Sequence, residues 1–296
     1  MVAGTSILQV GDHSKTAEKV EDFYAKCPFP NFDDHASLFD LVDIKNKNTF
    51  LFNLKDQLGL GKKLIEVGSG TSQLSIMFSH GTNNQVIAFD ATLNSLRLGE
   101  AFARKYDLPN CNFVLGDLFS DPFEDEFFDV VWCSGVLHHT DDPEGGFEII
   151  SKWLKKDGII IVGLYNKIGR LRTTFRQFIF RRIRPFWLAK KVIFFMDPII
   201  RAQTSRVKKE AWFQDQYLHP IESTHTLKEI LKWFDSNGIE FVSSMPTCTS
   251  EQGNMKNIFK IQSRGSVFSQ LVSQIAFLFG SNGSEGGLFL VIGRKR

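Results

Sequence analysis

The sequence lacks most of the features that would set it apart from ordinary globular proteins. Of its 296 residues only four are cysteine, Cys27, Cys111, Cys133 and Cys248. None forms a C-x-x-C pair or stands with histidines at zinc-site spacing, so no metal is expected. Free, reduced thiols in a cytoplasmic protein are the expectation. Met1-Val2-Ala3-Gly4-Thr5-Ser6 has no basic region followed by an apolar one, so no signal peptide is expected. No run reaches about 18 uninterrupted apolar residues, which argues against a spanning helix; the most apolar candidates, 192–200 and 267–280, are short or broken by polar residues. No internal repeat is present. What remains is a hydrophobic fraction of 43% and a charged fraction of 23%, in a chain long enough for one large domain or a domain with a cap. Phenylalanine is abundant, at 29 residues, chiefly a core signal.

The net charge of +2 hides an asymmetry. Residues 167–209 hold 13 Lys/Arg and one acid, Asp197, so the rest of the chain is net acidic.

A helix is expected over 16–26 and ends at Cys27-Pro28-Phe29-Pro30, because a proline disfavours helix at the residue before it. A helical region follows over 36–58. Strands and helices then alternate: strands at 63–67, 85–90, 112–115, 128–134 and 158–165, helices at 73–80, 93–106 and 143–154. Near-continuous apolar strands separated by helices indicate a parallel sheet covered on both faces. The alternation stops at Asn166. A long insertion follows, then a helix at 226–234, a strand at 239–242, a helix at 266–279 and a final strand at 288–292. The chain therefore divides into an N-terminal helical cap (1–58), a cofactor-binding core (59–166), a basic helical insertion (167–222) and a completion of the core (223–296).

The turn after the first of these strands is Glu66-Val67-Gly68-Ser69-Gly70-Thr71-Ser72. Glycines between a strand and a helix let the backbone bend sharply and approach a nucleotide-like ligand. Asp90 ends the next strand, where a carboxylate can accept from both hydroxyls of a ribose. Gly116-Asp117-Leu118-Phe119 follows the third, where an acid can read an adenine amino group with apolar side chains against the ring. Asp129 to His139 is a strand running into a loop, Gly135-Val136-Leu137-His138-His139. A nicotinamide dehydrogenase is the rival for such a turn, but those enzymes usually carry a further glycine where this chain has Ser72.

In this order and spacing, E-V-G-S-G, A-F-D, G-D-L-F and G-V-L-H-H-T resemble the class I S-adenosylmethionine-dependent methyltransferases over roughly 62–166. Among them the chain looks most like the small-molecule and quinone or lipid methyltransferases, and Gly163–Asn166, Gly169–Leu171 and Asp215–Pro220 look like a bacterial branch of that subgroup. The resemblance implies a doubly wound α/β, Rossmann-like sheet of seven strands in the order 3-2-1-4-5-7-6, the last antiparallel, with an inserted helical cap. It implies S-adenosyl-L-methionine as cofactor. Gly68 and Gly70 would lie under its methionine part, Asp90 would hold the ribose, Asp117 and Leu118 the adenine, and Cys133 or Ser134 would lie near the methionine end. Glu66, Ser69 and Ala91 belong to the same set.

Methyl transfer from a sulfonium is an in-line displacement that needs alignment and water exclusion, and a base only where the acceptor must lose a proton. His138, His139 and Tyr165 stand at the carboxyl edge of the sheet and are the catalytic candidates; His219 and His225 could close over the site. The expected reaction is methylation of oxygen or carbon on a small-molecule, quinone-like or lipid-like acceptor. A tRNA or other macromolecule methyltransferase and a non-catalytic cofactor-binding protein are the alternatives. In the insertion, Leu171, Phe175, Phe178, Ile179, Ile183 and Phe186 recur at helical spacing between arginines, predicting a basic amphipathic helix. Three readings stand: a substrate cap whose apolar stripe packs on the core, a peripheral membrane contact through 167–209 at the inner face, or recognition of an anionic partner such as tRNA, which the acidic remainder disfavours.

Overall fold

The structure is a computed structural model, and it describes residues 1–11, 23–24, 37–39, 43, 48–245, 247, 257–278 and 286–296. Most of the helix expected over 16–26, the Pro28-Phe29-Pro30 turn, Cys27 and Cys248 lie outside the described residues, as do parts of the 36–58 region and of the turn before the last strand.

A short strand β1 (Leu8–Gln9) precedes helix α1 (Thr49–Leu58). The core then runs β2 (Lys63–Val67), α2 (Gln73–Ser79), β3 (Gln85–Asp90), α3 (Leu93–Lys105), β4 (Cys111–Leu115), β5 (Phe128–Ser134), α4 (Pro143–Lys152) and β6 (Leu154–Tyr165). The insertion holds α5 (Leu171–Arg182), α6 (Phe186–Met196), α7 (Pro198–Ala202) and α8 (Arg206–Leu218). Helix α9 (Leu227–Ser236), β7 (Ile239–Met245), α10 (Val267–Ala276) and β8 (Leu288–Lys295) complete the chain.

The sheet has eight strands in the order β1-β4-β3-β2-β5-β6-β8-β7. β1 to β6 are parallel, and β8 is antiparallel to both β6 and β7. Seven of these strands stand in the expected order. The eighth, β1, pairs Leu8 with Val114 at the outer edge, so the first residues extend the sheet rather than forming only a helical cap. Two residues with no apolar alternation gave no strand signal in the sequence.

Both faces of the central strands are buried, as their continuous apolar runs require. Ile65, Val67, Val131, Cys133, Ile160 and Val162 face α4 and α9, where Phe147, Ile150, Ile230 and Phe234 pack. The alternate residues Leu64, Val86, Val130 and Ile161 face α1 and α2 through Phe50, Leu54 and Phe78. Helix α3 covers β3 and β4 through Leu96 and Ala103. Starts are locally encoded: Asp142 accepts from Gly145 N–H ahead of Pro143, and Thr226 with Glu229 forms a capping box at α9.

The insertion departs from the single amphipathic helix expected. Pro185 cannot donate a helical hydrogen bond and restricts Arg184, so the helix breaks into α5 and α6. The expected stripe does not pack on the core: Leu171, Phe175, Phe178 and Phe186 are exposed, and Thr173 is the buried residue of α5. The insertion instead holds a small core of its own, Ile193, Ile200, Phe213 and Tyr217. Among the described residues no helix is long and apolar enough to cross a membrane.

Candidate cofactor and active site

The sheet order reverses between β2 and β5, and ligands of open α/β sheets bind at the carboxyl edge of such a switch point. A cavity of about 530 Å³ opens there. Its floor is the glycine turn. Gly68 and Gly70 have φ of +68° and +52°, and a Cβ on Gly68 would run into Val136 Cγ2. The turn is pinned to the next strand: Gly68 N–H donates to Phe89 O at 2.8 Å, and Gly70 N–H to Asp90 Oδ2 at 2.7 Å. Asp90 Oδ1 accepts from Thr92 N–H at 2.7 Å. This fixes the carboxylate at the end of β3, in the cavity wall. Asp117 Oδ1 accepts from Phe119 N–H at 3.0 Å, which places Leu118 and Phe119 in the wall behind it.

Glu66 is buried in the same wall. Its Oε2 accepts from Ser75 N–H at 2.8 Å and from the Ser75 hydroxyl. Burial pushes its carboxyl up to about 8, and the two Ser75 hydrogen bonds act against that rise.

Beyond the glycine turn the cavity continues between Tyr24, Trp212, Asp215, Gln216, His139 and Tyr165. Tyr24 Oη donates to Asp215 Oδ1 at 2.7 Å. Gln216 Nε2 donates to Asp215 Oδ2 at 2.7 Å and to Tyr165 Oη at 2.8 Å. Burial, then the Asp215 charge, raise both tyrosine hydroxyls, so they are donors and not bases. His139 Nδ1 lies 2.7 Å from Ile221 O. That carbonyl can only accept, which puts the proton on Nδ1 and leaves Nε2 with its lone pair. Burial lowers the His139 pKa, while Asp215 and the Ile221 carbonyl act the other way, so the ring is neutral near pH 7. Trp212 Nε1 is a buried donor with no hydrogen-bond partner among the described residues.

Arg170 locks this wall. It is fully buried, donates to both Glu222 oxygens, to Gln216 Oε1 at 2.9 Å and to Gly286 O at 2.7 Å, and lies 3.5 Å from the Tyr165 ring centre.

Residues 65–162 match a family model described as a methyltransferase domain. Residues 65–162 are a class I S-adenosylmethionine-dependent methyltransferase domain. The chain is 28% identical over 96 residues to the uncharacterized methyltransferase YcgJ of Bacillus subtilis, covering 32% of this chain and 38% of the relative. It is 28% identical over 110 residues to the ubiquinone/menaquinone biosynthesis C-methyltransferase UbiE of Shewanella woodyi, covering 36% and 44%. The chain thus spans less than half the length of these relatives. The structure of PKMT2 from Rickettsia typhi in complex with AdoHcy is similar with a TM-score of 0.59 at 14% identity, over 84% of this chain and 54% of that one, a likeness of fold alone.

S-adenosylmethionine is the cofactor of this methyltransferase domain, and the residues present fit it. The glycine turn floors the cavity, Asp90 and Asp117 offer carboxylates one strand apart, and Glu66 offers a third that could face a cationic group.

Of the residues the sequence nominated, Glu66, Gly68, Ser69, Gly70, Asp90, Ala91, Asp117, Leu118, Ser134, His139 and Tyr165 line the methyltransferase cavity together. Cys133 does not. Its side chain is fully buried in the core beneath the cavity, and burial pushes its thiol up to about 12. His138 does not either. It is fully buried behind His139, 3.9 Å from the Tyr165 ring centre, with neither ring nitrogen hydrogen-bonded among the described residues. Burial holds its pKa well below the usual value. His219 stacks on His139 at 3.7 Å but is outside the lining, and His225 bonds Ser223 instead. Trp212 and the pair Asp215-Gln216 were missed as site residues. Their signal was an acid and an amide on α8 that are buried among apolar neighbours.

Proposed function

We propose that the chain transfers the methyl group of S-adenosylmethionine to an oxygen or carbon of a small, partly apolar acceptor, of quinone-like or lipid-like character. The observation that carries this is the second half of the cavity. Its wall of Tyr24, Trp212, Asp215, Gln216, His139 and Tyr165 lies beyond the cofactor residues, roofed by the insertion. The likeness to UbiE, a C-methyltransferase of ubiquinone and menaquinone biosynthesis, supports the acceptor class by analogy.

When bound, the cofactor supplies a methyl group already activated on a sulfonium. The protein's part is alignment and exclusion of water, worth ~7–11 kcal/mol of the barrier. Asp215, held by Tyr24 and Gln216, accepts a hydrogen bond from an acceptor hydroxyl. Trp212 Nε1, a donor with no partner among the described residues, donates to an acceptor oxygen once the side chain turns to it. Where the acceptor must lose a proton, His139 Nε2 takes it, and Ile221 O steadies the resulting imidazolium through Nδ1–H.

Calorimetric titration with S-adenosylmethionine and with NAD tests the cofactor half; absence of binding by the former would sink the reading. Transfer of labelled methyl from the cofactor to a lipid and quinone extract, against bulk tRNA, tests the acceptor half. Label appearing only in tRNA would replace the small-molecule reading with the macromolecular one.

A further inference from the structure

Three helices of the chain carry apolar side chains outward. In α10 the buried residues are Gln270 and Gln274, while Val267 (68% exposed), Phe268 (74%), Leu271, Val272 and Ile275 face outward. Hydrogen bonds set that rotation. Gln274 Oε1 accepts from Asn166 Nδ2 at 2.9 Å and from Leu227 N–H at 3.1 Å, and Gln270 Nε2 donates to Arg264 O at 2.9 Å. Turning the helix over to hide its apolar face would leave those groups unpaired, so the outward face belongs to the fold.

Helix α5 repeats the pattern. Thr173 is buried, and Leu171, Phe175 (61% exposed) and Phe178, four and three residues apart on one face, are exposed. Helix α6 adds Phe186, Trp187 and Phe195 (75%). The two regions adjoin. Asn166, whose side chain holds Gln274, also accepts from the N–H groups of Ile168 and Gly169 at the entry to α5, and a Cβ on Gly169 would sit 3.2 Å from Phe277.

The exposed charge of residues 167–209 has one sign. The single acid of 167–209, Asp197, is buried, where it caps α7. Arg172, Arg181, Arg182, Arg184 and Lys191 are exposed beside the aromatic residues. The Arg182 guanidinium lies 4.6 Å from the Phe178 ring centre and the Lys191 ammonium 5.6 Å from that of Trp187. Helix α10 itself carries no charge.

We propose that this face docks on an anionic lipid bilayer, with the apolar side chains of α10, α5 and α6 entering the headgroup–acyl boundary and the flanking cations meeting lipid phosphates. Outward apolar side chains flanked by cations match that surface in both its components. A second copy of the chain would set one basic insertion against another. A nucleic acid would find nothing to contact on the uncharged α10.

The test is co-sedimentation of the full chain with vesicles of phosphatidylcholine plus phosphatidylglycerol, against phosphatidylcholine alone, at low and high salt. Binding is expected to the anionic vesicles and to weaken with salt. Two variants, Phe175→Ser with Phe178→Ser and Phe268→Ser with Leu271→Ser, are each expected to lower partitioning at least tenfold. Arg181→Gln with Arg182→Gln is expected to lower it by roughly thirtyfold on anionic vesicles. An unchanged thermal unfolding midpoint for each variant shows that the chain still folds. Failure to bind anionic vesicles overturns the proposal, as does equal binding to both vesicle types. So does a dimer that these substitutions dissociate, or retention of bulk tRNA without vesicle binding. Methyl transfer plays no part in the readout, so the proposed reaction stands or falls separately.

Discussion

Replacing Glu66 by glutamine should stabilise the protein, and increasingly so as pH rises. The carboxyl ordinarily titrates near 4.5 and is pushed up to about 8 by burial. The folded state therefore holds this proton more tightly than the unfolded chain. Stability is greatest below about pH 4.5, falls as pH rises towards about 8, and is level above. At about 1.4 kcal/mol per unit the full effect is roughly 5 kcal/mol, of which about 3 kcal/mol falls between pH ~5.5 and ~8.5. Glu66→Gln keeps the shape, and its amide oxygen still accepts from Ser75 N–H and the Ser75 hydroxyl, so this slope should vanish. Urea unfolding of both proteins at the two pH values measures it. The gap between them should widen by about 3 kcal/mol at the higher pH. Parallel pH dependence in the two proteins would refute the burial argument for Glu66. The same proton bears on cofactor binding. A sulfonium or ammonium beside Glu66 favours its ionised form, so titration near pH 8 should release part of a proton, detectable by comparing buffers of different ionisation enthalpy. The variant should release none.

His139→Gln should lower turnover on the true acceptor by about 10²–10⁴-fold if that acceptor must lose a proton. Because burial lowers the His139 pKa, the wild-type kcat/KM should fall off only on the acid side of about pH 6.5, and a profile identical in the variant would remove His139 as the base. Asp215→Asn should raise the acceptor KM by about 10–100-fold, the worth of one charge-assisted hydrogen bond, while leaving S-adenosylmethionine affinity unchanged by calorimetry; a fall in cofactor affinity instead would move Asp215 to the other end of the cavity. Ser72 sits at φ +63° with long side-chain contacts of 3.2 and 3.5 Å. Ser72→Gly should therefore stabilise by about 1 kcal/mol in thermal unfolding, and destabilisation would show that those contacts outweigh the backbone strain.

The sheet was legible because its signal is local. Ile65, Val131 and Ile160 sit in short apolar runs bounded by glycine or acid, and such runs admit little other than buried parallel strands. The glycine turn was legible for the same reason, since Gly68 and Gly70 answer to backbone geometry that one heptapeptide encodes. Side-chain direction was not legible. Cys133 and Ser134 are neighbours in sequence, yet the pleat sends one into the core and the other to the cavity, and a one-residue ambiguity in register hides which. His138 and His139 lie in a short helical turn after β5, whose rotation sends one inward and the other to the cavity. The insertion misled for a different reason. A helical apolar stripe normally marks a core face, and only the buried Thr173, Gln270 and Gln274 reveal that the usual rule is reversed here. The second half of the cavity was invisible because Tyr24, His139 and Asp215 come from separate parts of the chain and meet only after folding.

The buried guanidinium of Arg170 changes how the insertion should be regarded. It sits at the first turn of that segment and is gripped at once by Glu222 at its far end, Gln216 in its last helix, Tyr165 on the sheet and Gly286 before the last strand. An appendage could be trimmed, lengthened or exchanged between relatives at its two ends. This one cannot, since removal would leave Glu222 and a cluster of amides facing an empty centre, at a cost of about 3–5 kcal/mol. The insertion and the sheet are therefore one folding unit at this centre, and any redesign of the cavity wall must work through side chains that leave that one arginine in place.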